Sequence, residues 1–443
     1  MDDLFDFAVR ECEKLLKKAP FAAEFNVVEG SSESVGARDS RLDDARFGSS
    51  VAANVRVVKD GLVGFAFTKE ISKDSLGKML EGAVVSARAR GTKAYFDAFP
   101  SKPKAKKFKH FDKRLKRAPF EPLALEFSSQ LERALEERHI FNAVGGVSKT
   151  QTRMQLLNSS GTSLWDESCD VTCTIMCSAK DKKTSVGSHS KHFARLKDVE
   201  LDLVREKAVE EAINCLNPVK PKTGKFDLLM PTSSIAGALL SWVVPAMNGD
   251  RALSGKSFFS GKKGAKAFSD ALTLREKPHE DWLWGSCSYD DEGVATTEKE
   301  LLREGVLVDY LHDLQSAKKY SAPLTGNGFS PGIASEPGAG VTNIELAPGK
   351  IKESELLESV EKGVVVTDSI GGPTFNHVSG DFSIVISSGY LVEGGERTKG
   401  VTGLAYSSNI FALLKELELS RETETHYGFI GPRLCRIPRV RLA

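Results

Sequence analysis

The chain has 443 residues, with a hydrophobic fraction of 40%, a charged fraction of 27% and a formal net charge of +1. That length exceeds one ordinary core and predicts two domains. The charge balance gives no reason to expect nucleic acid or an acidic membrane as partner, and the absence of an apolar run of about 18 residues predicts no membrane span. The start, Met1-Asp2-Asp3-Leu4, lacks the basic and apolar regions of a secretory leader. The seven cysteines, an odd number, predict reduced thiols and a cytoplasmic location.

Residues 2–18 read as an amphipathic helix, with Leu4, Ala8, Cys12, Leu15 and Leu16 on one face. Phe21 to Glu29 reads as a strand. Val51 to Val58 and Leu62 to Phe67 are β-rich runs joined by Asp60-Gly61, a hairpin signal. Ser72 is placed to cap a helix reaching about Arg90. Ser101 to Arg117 holds nine Lys or Arg against one Asp, interrupted by Phe108 and Phe111. A solvated connector explains it more simply than a nucleic-acid strip, and the acidic helix predicted at Glu121 to Arg138 is near enough in sequence to neutralise it.

From Phe141 to Phe193 the pattern is β. Asn158 to Gly161 is a turn, and Cys169 to Lys180 reads as one long strand. Leu201 to Cys215 is helical. Asn217-Pro218-Val219-Lys220-Pro221 cannot continue a helix and marks the domain boundary, giving domains 1–216 and 222–443. Beyond it come a strand at Phe226 to Met230 and a helix at about Ser234 to Met247. Short strands between glycine-rich turns follow, with helices near Thr296 to Arg303, Ser354 to Lys362 and Ser407 to Glu418. The predicted class is α+β with mostly antiparallel sheet.

No chemistry motif is complete. A zinc peptidase helix needs two histidines and a glutamate on one face, but His279-Glu280 has no second histidine. His189 and His192, three apart, would share a helix face if their turn-like region were helical. Cys169, Cys173 and Cys177 share a strand face, yet steps of roughly 13 Å keep them from one ion. Gly328-Phe329-Ser330-Pro331-Gly332 fits the nucleophile elbow only in letters, since Pro331 has no N–H for an oxyanion. Gly255-Lys256-Ser257 lacks the first P-loop glycine, and Gly326-Asn327-Gly328 lacks the third glycine of a dinucleotide loop.

The ordered set of C-terminal motifs is more informative. It runs through Gly249-Asp250, Ser257 to Gly264, Asp290-Asp291-Glu292-Gly293, Glu304 to Leu307, Tyr310 to Asp313, Thr325 to Gly328, Thr342-Asn343, Ser379 to Ser383, Gly389 to Glu396, Ser408 to Ile410 and Gly431-Pro432-Arg433. This half resembles the C-terminal domain of the TldD/PmbA family, while the N-terminal half agrees in layout. In the family's TldD branch a His-Glu-x-x-x-His helix ends just before a Gly-Asp. Counted back from Gly249-Asp250, the ligand positions here are Leu240 and Pro245, and the glutamate position is Ser241. The resemblance is therefore to the TldE or PmbA branch. It implies a non-catalytic subunit with no catalytic or metal-binding residue of its own, and a zinc-bearing TldD-like partner that supplies the metal. Its substrate would be unfolded peptides or peptide precursors. A homodimer is a further arrangement. Gly371, Gly372, Asn376, Gly380, Asp381 and Phe382 are the candidates for a groove that holds an extended peptide. His377 is a candidate stray ligand. Two alternatives stand beside this: a regulatory binding protein of DNA-gyrase-modulator type, and a self-sufficient hydrolase with an unrecognised site.

Overall fold

The structure is a computed structural model that describes residues 3–39, 41–371 and 374–443. Its N-terminal half is built on one antiparallel six-stranded sheet in the order β3-β2-β1-β4-β5-β6. The strands are β1 (Ala22–Arg38), β2 (Arg41–Lys59), β3 (Leu62–Thr68), β4 (Ile140–Asn158), β5 (Ser163–Lys180) and β6 (Thr184–Phe193). Asp60 and Gly61, with φ of 54° and 72°, make the predicted turn between β2 and β3. The first strand is far longer than the predicted Phe21 to Glu29. Its distal part, Glu33-Ser34-Val35-Gly36, has no hydrophobic alternation strong enough to announce a strand, and pairing with β2 and β4 holds it.

Alternation along the strands sorts the two faces. Residues such as Phe25, Val27, Val55, Val57, Val171, Cys173 and Ile175 point to one face. There α1 (Leu4–Lys18) and α2 (Lys73–Arg90) cover β1–β3. A short α3 (Lys113–Arg117), α4 (Glu121–Glu136) and α5 (Leu201–Asn214) cover β4–β6. The opposite face carries Glu24, Asn26, Asn54 and Arg56, all buried. They bury against the C-terminal half: Asn26 Nδ2 donates to Asp291 O and Asn54 Nδ2 to Ile333 O.

The C-terminal half centres on a seven-stranded sheet. Its heart is a parallel pair, Gly224–Pro231 beside Lys362–Ile370, and its other pairings are antiparallel. A smaller sheet of short strands stands beside it. The connector between the halves is pinned at both ends. Asn217 Oδ1 accepts from the N–H groups of Lys182 and Lys183, while Val219 N–H donates to Gly400 O.

Two helix expectations fail and a third helix stops short, each for a local reason. Lys299–Arg303 is a strand, because Glu304 and Gly305, with φ of 47° and 75°, turn it into a hairpin with Val306–Leu307. Leu404–Asn409 continues as a strand, and Asn409 caps only a single turn, Ile410–Leu413. The helix at 354–362 stops at Glu358, since Lys362 already belongs to a central strand. The basic stretch is a strap across the two halves, and it is not neutralised by the acidic helix. Lys106 pairs with Glu298, Lys109 Nζ lies 3.7 Å from Asp281 and Lys109 O accepts from Trp282 N–H, and Lys116 pairs with Glu167.

Candidate functional site

The helix that carries Leu240, Ser241 and Pro245 is not a regular α-helix. Thr232–Ala238 is α-helical, Leu239–Val243 is a π-turn and Val244–Ala246 closes the element. Val244 N–H donates to Leu239 O, five residues back. Pro245 has no N–H to give to Ser241, which removes one rung of the ordinary ladder and favours the wider turn. Leu240 and Pro245 are half-buried and Ser241 is exposed. Trp242 stacks on Phe375 at 5.1 Å with 9° between planes, and on Phe382 at 4.9 Å.

That stack joins the helix to most of the predicted groove residues. Gly371, Asn376, Gly380, Asp381 and Phe382 fall in one loop and the start of the strand Asp381–Glu393. Gly372 lies outside the described residues. Asn376 Oδ1 accepts from Val378 and Ser379 N–H, and Asn376 N–H donates to Asp381 O, closing the loop on itself. Asn409 and Ser379 donate to the Asp381 carboxylate and hold it below the usual carboxylate range.

The two glycines serve the chain's own packing. Gly371 has φ of 122°, and a Cβ there would lie 2.7 Å from Ser383 O. Gly380 has φ of 83°, and a Cβ would lie 2.8 Å from Ile410 Cγ2. Phe382 is buried under Trp242. The open surface is the outward row of the same strand, Asp381, Ser383 and Val385, next to Ser407, whose hydroxyl shares a 2.7 Å hydrogen bond with that of Ser383.

The remaining sequence candidates are scattered. His189 and His192 lie on β6, so alternation sends them to opposite faces; burial pushes both down to about 4. His192 stands 3.6 Å from Asp170, whose carboxyl burial pushes up to about 6. The three cysteines of β5 point into the core beneath α4 and α5. His279 Nε2 meets Thr296 Oγ1 at 3.1 Å. His377 sits beside Phe375, its backbone C=O accepting from Phe258 N–H. Leucine, serine and proline at 240, 241 and 245 offer no zinc ligand set. Among the described residues no three His, Cys, Asp or Glu side chains are grouped to hold a metal. The residues present do not fit a zinc ion.

Most of the ordered C-terminal motifs turn out to knit the scaffold. Gly249 lies under the His312 ring, where a Cβ would come within 2.0 Å of Cε1. Asn327 Nδ2 and Thr342 donate to the fully buried Glu276, which also pairs with Lys299 at 2.7 Å. Asp290 accepts from Glu292, Val294 and Gly328 N–H. Glu292 binds Arg56 at 2.5 Å, and Arg56 also binds Glu24 at 2.9 Å. This buried triad between the halves escaped sequence reading. Polar residues alternating with apolar ones on β1 and β2 look like a solvent face until a second domain is known to cover it.

The fold and these motifs define a metallopeptidase-type scaffold in two halves, and the chain belongs to the PmbA/TldD metallopeptidase family. Three family models match in order: domain 1 at residues 23–87, the central domain at 116–216 and the C-terminal domain at 223–443. The likeness thus reaches the N-terminal half as well. A metalloprotease of Methanothermobacter thermautotrophicus is 26% identical, over 92% of this chain and 89% of that protein. A metalloprotease PmbA homolog of Haemophilus influenzae is 25% identical, over 93% and 89%. The solved structure of TldE from Thermococcus kodakarensis superposes with a TM-score of 0.85 at 20% identity, covering 98% of this chain and all of that one.

Proposed function

We propose that this chain is the non-catalytic, peptide-holding subunit of a two-subunit metallopeptidase, with zinc carried by a TldD-like relative. The observation that supports this most is the helix at 239–245. Trp242 ties it to Phe375 and Phe382, and the face with the zinc-motif positions carries half-buried Leu240 and Pro245 and exposed Ser241. Such a face can neither bind a metal nor offer a carboxylate base to water. It can wall a peptide track. The outward side chains of Asp381, Ser383 and Val385 would line the track of an extended peptide.

The test is to assay an unstructured peptide with this chain alone, the zinc-bearing relative alone, and both together. Strong cleavage in the mixture only is expected. Chelator-sensitive cleavage by this chain alone, equal to that of the mixture, would refute the proposal.

A further inference from the structure

The hairpin formed by Thr423–His426 and Phe429–Pro432 carries an aromatic residue at a turn position that favours glycine. Tyr427 has φ of 51°, a conformation that bulky side chains rarely adopt. Contacts to the N-terminal half hold it there. Its hydroxyl shares a 2.5 Å hydrogen bond with that of Ser190 on β6, and Ser190 in turn meets Thr174 on β5 at 2.7 Å. A Cβ at Gly428 would lie 3.5 Å from Trp284 Cε3, so the indole rests against the same turn.

Three rings meet at this hairpin tip. Trp284 lies 6.2 Å from Tyr427 at 85° and 6.4 Å from His192 at 82°, while Tyr427 and His192 are 6.5 Å apart at 38°. Trp284 therefore stands as a wall across the other two, and the rings make a corner. The indole is 60% exposed. Two residues earlier, Trp282 already carries the chain's own Arg195, 5.1 Å from the ring. No lysine or arginine of the described residues stands over Trp284 or Tyr427.

A carboxylate without a cation lies beside this corner. Val171, Cys173 and Phe193 point to the helices, so alternation puts Asp170, Thr172, Thr174, Ser190 and His192 on the other face of β5 and β6. Asp170 Oδ1 is 3.6 Å from His192 Nε2, and no lysine or arginine of the described residues pairs with it. Burial keeps His192 neutral at pH 7, while Asp170, pushed up to about 6, still ionises. A half-buried carboxylate and the faces of aromatic rings both attract a cation.

We infer that this corner binds a guanidinium group, the side chain of an arginine in a peptide, stacked on Trp284 with its N–H groups directed to Asp170. A guanidinium is flat enough to stack on an indole, presents fixed donors to a carboxylate at its edge and is more weakly hydrated than an ammonium. The corner uses none of the Asp381, Ser383 and Val385 row.

An NMR titration of the full chain with 15N-labelled tryptophan at pH 7.5 tests this. The probes are Nα-acetyl-arginine amide and its uncharged isostere, Nα-acetyl-citrulline amide. The chain has four tryptophans, and Trp284→Phe assigns the indole signal that matters. The arginine probe should move that signal saturably, with an affinity about fivefold or more above that of the citrulline probe. The signal of Trp165, 54% exposed, should stay still. Asp170→Asn should weaken the arginine probe about fivefold and leave the citrulline probe unchanged, with the other indole signals reporting an intact fold. Equal affinity for the two probes, a Trp284 signal that does not move, a Trp165 signal that moves with it, or an Asp170→Asn variant that binds like wild type would overturn the proposal. No relative and no cleavage enter the measurement, so it stands or falls apart from the peptidase reading.

Discussion

Arg56 is the residue whose loss should most weaken the junction of the two halves. Its guanidinium is 6% exposed, and it holds Glu24 and Glu292, each 1% exposed. Phe96 and Phe99 cover it, with ring centroids 5.6 and 5.1 Å from Cζ. Arg56→Met keeps much of the bulk but leaves two carboxylates buried without a cation. Removing one partner of a buried ion pair typically costs about 3–5 kcal/mol. Proton uptake by the orphaned carboxylates caps the cost, so about 4 kcal/mol is expected. Glu24→Gln is the contrasting change. Burial, with Glu292 nearby, pushes the Glu24 carboxyl up to about 7, so a neutral isostere resembles a state it already visits. A loss of about 1 kcal/mol or less follows. Urea unfolding at pH 7, followed by far-UV circular dichroism, compares the midpoints at equal m-values. An Arg56→Met variant within about 1 kcal/mol of wild type would refute the reasoning. So would a Glu24→Gln variant as damaged as Arg56→Met.

Other outcomes follow from single contacts. Gly249→Ala drives a methyl into the His312 ring and should cost about 1–3 kcal/mol by the same urea assay. The double variant with His312→Ala should recover part of that loss. Trp242→Ala removes the stack beneath Phe375 and Phe382, and hydrogen exchange should quicken across 375–383 while β1 and β4 keep their protection. Unchanged exchange there would mean the loop is held by its own hydrogen bonds. His192 is pushed from 6.5 down to about 4 by burial, so the unfolded chain binds the proton first. Its contribution to stability is complete above pH 6.5 and is lost as pH falls toward 4, by roughly 3 kcal/mol. His192→Gln should flatten the acid limb of the stability curve by that amount. Gly380 is a poor probe of the groove because its substitution strains the loop. Ser383→Arg, on the open row, should instead lower peptide cleavage by the mixed subunits while leaving the urea midpoint unchanged.

The legible parts of the sequence were those governed by local rules. Asp60-Gly61, the cap at Ser72 and the alternation of Cys169, Cys173 and Cys177 each gave the element found. The run from Lys299 to Leu307 misled because two apolar neighbours, Leu301 and Leu302, fit a helix as well as a strand. The deciding Glu304-Gly305 turn has no strong type signature. The distal half of β1 and β2 was invisible because its stability comes from long-range pairing, with little hydrophobic content of its own. For the candidate site, position along the chain was legible and orientation was not. Nothing in the letters says that Gly380 meets Ile410 or that Phe382 lies under Trp242.

The widening of the helix ties the backbone of residues 239–245 to a single side chain. In an ordinary α-helix, residues five apart are separated by about 140° around the axis. A turn closed by a bond from Val244 to Leu239 brings positions 240 and 245 round toward one side. The α-helical rung that would compete with this turn is the one Pro245 cannot make, so the proline and the wide turn are one feature, and a change at 245 is also a change to the turn.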